Sequence, residues 1–364
     1  MAEDWLDLIP DTYVDAYRER RPIAPDVRAA VLAAMGLGQH EDPADPGAVA
    51  VVRPSGAVPT GGTVTLEDGT ALGRVDRLPP DAPFGYHRLD GDDGRDWLLI
   101  TGPGRCHVPP GLRGWGWAVQ LAAVRSRRSW GIGDLGDLRD LAAWSAGVGA
   151  SFVAVSPLGA PNPGPMPEPS PYYPSTRRFG NPIHLRVTEV AGADGLGGAA
   201  DGLNDERWID RPRIWARKRE ALERAWAAGA EREAFDAWRV DEADAALERW
   251  AAFSVISERH GPGWQSWPAE LRRPNEPAVK AIASNPAERD LIGFHAWLQW
   301  CFDRQLAAAS TPLRRIADMP VGVDPGGFDA WDWQDQLAIG VSVGAPPDRF
   351  NTVGQDWGLP PFVP

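Results

Sequence analysis

Residues 115–155 decide the fold, and they read WGWAVQLAAVRSRRSWGIGDLGDLRDLAAWSAGVGASFVAV. An apolar segment at residues 117–124 is followed by the turn Gly131-Ile132-Gly133-Asp134. An amphipathic segment then runs to about Gly147, and a second apolar segment occupies residues 152–155. Apolar, amphipathic and apolar segments in this order predict a βαβ unit, in which a helix connects two parallel strands.

The second strand of this unit leads into a long loop, residues 156–182, which is rich in proline and aromatic residues. Connections after such strands usually have about 2 to 6 residues. Binding and catalytic residues concentrate in loops that a rigid scaffold positions. We therefore expect a functional site in this loop.

The chain before this unit predicts a small N-terminal module, residues 1–110. Residues 1–38 have helical character, and Pro25 is placed to begin a helix. Short apolar runs bounded by turn residues then predict strands, at residues 63–66, 71–75, 84–89 and 97–100. We therefore predict a helix followed by β structure, ahead of a second domain at residues 111–364.

The chain after the long loop predicts more helices and one more strand. Residues 201–310 are helical in tendency, and an apolar segment at residues 316–323 bears Asp318. Strands and helices that alternate along a chain predict a parallel α/β architecture, either a barrel or a doubly wound sheet. In both, the loops at the carboxyl ends of the strands carry the chemistry.

Charge and composition narrow the function. The net charge of −13 repels phosphate backbones, which disfavours nucleic acid as a partner. No apolar run approaches the roughly 18 residues that a membrane helix needs, the start lacks a signal-peptide pattern, and two cysteines make no disulfide framework. We expect a cytoplasmic protein without a membrane partner.

The 18 tryptophans are unusual for a chain of 364 residues. Some must be core, but a flat apolar ring also suits the C–H face of a sugar as well as it suits a base. Because charge disfavours nucleic acid, carbohydrate is the favoured ligand.

The pattern does not favour a cofactor or a metal. Gly131-Ile132-Gly133 lacks the third glycine and the downstream acid of a dinucleotide fingerprint, so we interpret it as a strand-to-helix turn that Asp134 or Asp137 caps. The six histidines and two cysteines do not reach metal-ligand spacing. We interpret His295 as structural.

Two loops combine aromatic rings with hydrogen-bonding groups. Residues 170–182 read SPYYPSTRRFGNP, and residues 344–358 read GAPPDRFNTVGQDWG. The first loop can present a fixed polar and aromatic surface to a sugar, although a purely structural loop explains it equally well. In the second, Trp357 has amide and carboxylate neighbours that can bind hydroxyls, although its ring could equally be core.

Together these segments resemble the N-terminal half of the 4-alpha-glucanotransferases of the amylomaltase, or disproportionating enzyme, type. The resemblance is carried by residues 129–138 (SWGIGDLGDL), residues 170–182, Asp318-Met319-Pro320 and residues 344–361. The N-terminal module, including residues 85–89 (GYHRL), is similar to an extension of bacterial members.

The resemblance implies a fold and a reaction. The fold is a partial (β/α)8 TIM barrel of about three strands with a helical insertion at residues 201–310, preceded by a small β-rich N-terminal module. The reaction moves α-1,4-glucan segments between maltooligosaccharides by retaining double displacement, without a cofactor. Such an enzyme serves intracellular glycogen and maltodextrin metabolism.

The resemblance also implies roles for particular residues. Tyr172 lies beside the donor sugar, Trp357 stacks at the acceptor side, and Asp318 positions the substrate at the end of the third strand. Residues 344–355 form a mobile loop over the acceptor. The substrate-binding residues that follow are Ser170, Tyr172, Asn181, Asp318, Asp348, Gln355 and Trp357.

The chain departs from the family in its catalytic carboxylates. A retaining transfer needs a nucleophile and an acid about 5 to 5.5 Å apart, and the family's nucleophile lies in an Arg-x-Asp-His segment that this sequence lacks. We therefore expect both groups beyond Pro364, in which case the chain is truncated and aggregates or needs a complementing chain. Glu168 with Asp318 is a disfavoured substitute pair, because a catalytic acid needs burial.

Two alternatives remain open. The first is a non-catalytic remnant with at most weak binding of maltooligosaccharides. The second is a plain hydrolase of α-1,4-glucans.

Overall fold

The computed structural model describes residues 11–15, 17–34, 48–106, 108, 113–193, 195 and 202–363. These residues divide into two compact units. The smaller unit runs from residue 48 to 113, and the larger one combines residues 11–34 with residues 114–363. The larger unit is therefore discontinuous in sequence.

The larger unit begins with a hairpin of β1 (Thr12–Val14) and β2 (Arg20–Pro22), followed by α1 (Pro25–Ala34). The helix from Pro25 is confirmed, but helical structure at residues 12–14 and 20–22 is wrong, because both segments are strands. The buried Asp15 carboxylate accepts hydrogen bonds from the backbone N–H groups of Tyr17 and Glu19, which stabilises a turn instead of a helix. Residues 1–10 and 35–38 of that prediction lie outside the described residues.

The smaller unit is a five-stranded sheet. Its strands are β3 (Ala48–Val52), β4 (Ala57–Thr65), β5 (Ala71–Arg77), β6 (Gly85–Gly91) and β7 (Asp96–Thr101), in the order β3-β7-β6-β4-β5. Alternate residues such as Val64, Leu89 and Leu99 are buried on one face. The predicted strands in this region are confirmed. The predicted module also contained the helix at Pro25, which here groups with the larger unit.

After the smaller unit, the larger unit continues with a mixture of strands and helices. In chain order they are β8 (Gly116–Val119), α2 (Leu135–Gly147), β9 (Phe152–Val155), α3 (Arg211–Ala228), α4 (Arg232–Asp241), α5 (Ala245–His260), α6 (Pro277–Ser284), α7 (Pro286–Ala309), β10 (Arg314–Ala317), α8 (Phe328–Asp332), β11 (Val343–Ala345) and β12 (Gln355–Leu359). The protein has a mixed α/β fold.

Strands β8, β9 and β10 form a parallel sheet with β9 in the centre. The βαβ unit predicted from residues 115–155 is confirmed, but its first strand ends at Val119 and not near Val124, because a 3-10 turn occupies residues 121–123. The predicted strand at residues 316–323 is wrong in its limits, because β10 begins at Arg314 and ends at Ala317. Pro320 has no N–H group to donate to a sheet, so a strand that continues to residue 323 is disfavoured.

Helix α2 is anchored by a buried charge cluster. Asp134 caps the helix and forms a capping box with Asp137, which confirms the predicted cap. The Arg186 guanidinium, 1% exposed, lies 2.7 Å from carboxylate oxygens of both aspartates. The Nζ atom of Lys218, also fully buried, donates to the carbonyl oxygens of Ile183 at 2.6 Å and Leu185 at 2.9 Å.

The predicted helical insertion at residues 201–310 contains α3 to α7, whose core is aromatic. Trp250 stacks on Phe253 at 6.1 Å between ring centroids, and Phe253 lies 5.4 Å from Trp331. Part of the tryptophan content is therefore core. Among the described ranges, none of the helices has both the length and the apolar character of a membrane span.

Glu258 ties three of these helices together. From α5 it accepts a hydrogen bond of 3.1 Å from Arg219 Nη2 of α3 and lies 3.4 Å from His295 Nε2 of α7. Burial alone would raise the pKa of Glu258, but His295 and Arg219 outweigh it and lower this pKa to about 2. The carboxylate therefore contributes stability above its ordinary pKa of 4.5, and this contribution is lost as the pH falls towards 2.

We expect the Glu258→Gln substitution to lower the free energy of unfolding at pH 7 by about 2–3 kcal/mol. Urea unfolding at several pH values measures the effect, and the difference from the parent should shrink between pH 4.5 and pH 2. Glu223→Gln is the matched control, because Glu223 also pairs with Arg219 but is 50% exposed. If both variants lost the same free energy of unfolding, the buried contacts of Glu258 would not be the source of the stability.

Candidate functional site

The carboxyl ends of the three parallel strands place Gln120, Ser156 and Asp318 in one row. Val119, Val155 and Ala317, the last residues of β8, β9 and β10, are in register. The backbone N–H of Ser156 donates to Val119 and that of Asp318 to Val155, at 3.0 and 3.1 Å. Adjacent strands lie about 4.8 Å apart, so the three polar side chains follow one another across the sheet edge.

Tyr172 reaches this row from the long loop. Its hydroxyl donates a hydrogen bond of 2.9 Å to the carboxylate of Asp318, although 146 residues separate the two. The bond to Asp318, which stabilises the protonated phenol, raises the pKa of Tyr172. The ring is 49% exposed, so one aromatic surface and one oriented carboxylate remain open to a ligand.

Tyr172 stands between two adjoining hollows. The first, of about 260 Å³, is lined by polar and aromatic groups that include Gln120, Ser156, Glu168, Ser170, Tyr172, Asn181, His184 and Arg211; we call it the loop cleft. The second, of about 430 Å³, lies over the strand ends and shares Gln120, Ser156 and Tyr172 with the first. Two hollows that meet at an aromatic ring suit an extended polar ligand better than a compact one.

Asp329 of α8 holds the loop that carries Tyr172 through hydrogen bonds. This carboxylate, 1% exposed, accepts hydrogen bonds from Thr176 Oγ1 at 2.8 Å, Arg177 N at 2.8 Å and Arg178 Nε at 3.0 Å. The Ser175 hydroxyl accepts a further bond from the backbone N–H of Phe328 at 2.8 Å. Buried hydrogen bonds therefore hold residues 175–178 of the long loop, shortly after Tyr172.

Ser170 and Asn181 line the loop cleft and also shape its backbone. Ser170 Oγ accepts a hydrogen bond of 3.3 Å from the N–H of Tyr172. Asn181 Oδ1 accepts one of 3.1 Å from the N–H of Ile183. Each side chain keeps hydrogen-bonding capacity beyond these bonds, because a hydroxyl can also donate and an amide carries two N–H groups.

The other three predicted residues lie on the hairpin of β11 and β12. Trp357 is 38% exposed, and its Nε1 donates to Gln355 Oε1 at 3.1 Å. The carboxylate of Asp348 accepts hydrogen bonds from backbone N–H groups of its own turn, at 2.6 and 2.7 Å. Tyr173 connects this hairpin to the long loop through a bond of 3.5 Å to the carbonyl of Gly358. Trp357 and Gln355 thus present polar and aromatic groups, whereas Asp348 holds its turn.

The sequence prediction missed four residues of the loop cleft: Gln120, Ser156, His184 and Arg211. Gln120 and Ser156 directly follow β8 and β9, so their position at the strand ends was a usable signal. Arg211 carried none, because it enters the cleft from a segment distant in sequence. His184 lies two residues after the long loop, but the contact that orients its ring is with Gly133, 51 residues earlier, and leaves no local pattern. In the described part of the chain, no group of three His, Cys, Asp or Glu side chains suits a metal ion.

Polar residues grouped at the carboxyl edge of a parallel sheet are the arrangement of α/β enzymes. A family model described as 4-alpha-glucanotransferase matches residues 119–364. The 4-alpha-glucanotransferase of Mycobacterium tuberculosis is 42% identical over 334 residues, which cover 82% of this chain and 45% of that protein. The Haemophilus influenzae 4-alpha-glucanotransferase is 30% identical over 331 residues, which cover 79% and 47%.

Comparison with a solved structure also finds a similar protein. The crystal structure of amylomaltase from Corynebacterium glutamicum superposes with a TM-score of 0.75 at 27% identity, covering 99% of this chain and 60% of that one. The chain belongs to the 4-alpha-glucanotransferase family. It spans about half the length of the two curated relatives named above.

Proposed function

We propose that this chain is the glucan-binding part of a 4-alpha-glucanotransferase. The reaction would transfer α-1,4-glucan segments between maltooligosaccharides with retention, by double displacement, in glycogen and maltodextrin metabolism of the cytoplasm. The observation that carries the proposal is the hydrogen bond between Tyr172 and Asp318 at the strand ends, beside the loop cleft. Family membership supports it.

In this proposal the three-stranded sheet is part of a (β/α)8 barrel. The carboxyl ends of its strands form the base of the site that binds the donor glucan. The Tyr172 ring covers a sugar face, and Asp318 accepts hydrogen bonds from sugar hydroxyls. Asp318 positions the substrate, while the nucleophile and the acid come from carboxylates other than those of the loop cleft. Retention requires such a pair about 5 to 5.5 Å apart.

The hairpin of β11 and β12 is proposed to serve the acceptor. Transfer requires a sugar hydroxyl to reach the glycosyl-enzyme in place of water, so the acceptor needs a platform that excludes solvent. Trp357 has an exposed ring for stacking, and its bond to Gln355 fixes the ring's orientation.

Incubation of the purified chain with maltotriose tests the reaction. Glucose together with oligomers longer than maltotriose would support transfer, whereas glucose and maltose alone would indicate hydrolysis. Unchanged maltotriose would support the second candidate, a glucan-binding chain without catalysis.

We expect Trp357→Ala to weaken the binding of maltoheptaose by roughly 2- to 13-fold, because one stacked ring contributes about 0.5–1.5 kcal/mol. Isothermal titration calorimetry measures the affinity. Trp208→Ala is the control, because Trp208 is 78% exposed and does not line the loop cleft or the hollow over the strand ends. Unchanged affinity in the Trp357 variant would place the acceptor elsewhere.

A further inference from the structure

His184 lies in the wall of the loop cleft, and its tautomer is fixed by one hydrogen bond. The imidazole is 8% exposed, and its Nδ1 lies 2.9 Å from the carbonyl oxygen of Gly133. Because a carbonyl oxygen can only accept, Nδ1 must carry the hydrogen. The other ring nitrogen, Nε2, is then the acceptor of a neutral ring.

The ring is neutral near pH 7. Burial lowers the pKa of His184 to about 4, with the nearby charges of Lys218 and Arg211 acting in the same direction and the Gly133 bond opposing them. Nε2 therefore presents a lone pair across the physiological range. Within the residues that the structure describes, no hydrogen bond to this nitrogen occurs.

The backbone on both sides of His184 is held in place. The buried ammonium of Lys218 binds the carbonyl oxygens of Ile183 and Leu185, which bracket the histidine. Arg186, two residues after His184, pairs with Asp134 and Asp137 of the buried charge cluster. The ring is thus oriented before any ligand arrives, which reduces the entropy lost on binding.

We propose that His184 Nε2 accepts a hydrogen bond from a hydroxyl of one glucosyl unit of an α-1,4-glucan in the loop cleft. This inference rests on the proposed function. The ligand class follows from the groups that line the same cleft: Ser170, Asn181 and Arg211 supply hydrogen-bond donors, and Tyr172 supplies an aromatic face. A cleft that holds a fixed acceptor as well as donors suits a hydroxyl, which both donates and accepts.

Three substitutions test the role of His184 with maltoheptaose as the probe, by isothermal titration calorimetry at pH 7. His184→Leu removes the acceptor and should weaken binding about 3- to 10-fold, the loss of one neutral hydrogen bond. His184→Gln keeps a donor for Gly133 and an acceptor for the sugar, so its affinity should stay within about 2-fold of the parent. His260→Leu is the control, because His260 is exposed at the end of α5.

A second readout follows the imidazole nitrogen of the parent chain itself. In nitrogen-15 spectra of histidine-labelled protein, the unprotonated nitrogen of His184 should shift upfield when maltoheptaose is added. The signal is assigned by its loss in His184→Gln. An unchanged signal together with equal affinity of parent and His184→Leu would overturn this inference and leave the proposed function standing. A parent that does not bind maltoheptaose would overturn both.

Discussion

Replacing Arg186 by methionine is expected to lower the free energy of unfolding by about 3–5 kcal/mol. The guanidinium lies within 2.7 Å of carboxylate oxygens of Asp134 and Asp137, and all three side chains are at most 2% exposed. Without the Arg186 guanidinium, the two carboxylates would remain buried and would lose the positive charge that they share. Removing one partner of a buried pair is far more damaging than removing a surface pair.

Urea unfolding of Arg186→Met over a range of pH separates this electrostatic loss from a loss of packing. Burial raises the pKa of Asp134, and loss of Arg186 should raise it further. The carboxyl group then binds a proton in the folded state as the pH falls, so the deficit relative to the parent should shrink between pH 7 and pH 4. A deficit independent of pH would indicate packing alone.

Arg139→Met provides the matched control for this prediction. Arg139 also pairs with a carboxylate, that of Glu189 at 2.7 Å, but the two side chains are 32% and 29% exposed. Pairs near the surface contribute about 0–1 kcal/mol. If Arg139→Met lost as much free energy of unfolding as Arg186→Met, burial of the ion pair would not explain the larger expected effect.

The second large effect is expected from Asp329→Ala, which should cost about 3–4 kcal/mol of stability. The substitution removes the acceptor for Thr176, Arg177 and Arg178, and it leaves their donors without a partner in a buried place. It should also weaken maltoheptaose binding more than 10-fold, because these bonds fasten the loop that presents Tyr172 to the cleft.

Hydrogen exchange over residues 170–182 reports this loosening directly. Exchange should become faster in Asp329→Ala while α2 keeps its protection. Asp335→Ala is the control, because Asp335 is 86% exposed and makes a surface ion pair of 3.4 Å with Arg273. Protection of the loop at the parent's level would show that Asp329 does not hold it.

Local signals in the sequence predicted local structure well. The aspartates at positions 134 and 137 have the spacing of a cap, and the structure has a capping box there. The apolar segment at residues 152–155 became β9 with the predicted limits. The hairpin of β1 and β2 was missed because the side chain of Asp15 stabilises a turn that helical propensity does not reveal.

The site was predicted only in part, because much of it is assembled over long distances. The Tyr172 and Asp318 side chains were both selected from the sequence, and they contact each other. Asp329 was not predicted as a residue that supports the site, because its hydrogen-bond partners lie about 150 residues earlier in the chain and no local sequence pattern indicates them. His184 was missed for the same reason, since its role depends on Gly133 and Lys218.

One contact also bears on how the chain is made in the cell. The Tyr17 hydroxyl donates to the carbonyl of Asp348 at 2.8 Å, across 331 residues. At about 5–20 residues per second, a ribosome needs roughly 17 to 66 seconds between these two residues. Residues 48–113, which form a continuous unit, emerge in the meantime. During synthesis, the bond between Tyr17 and Asp348 can therefore form only after most of the chain has been made.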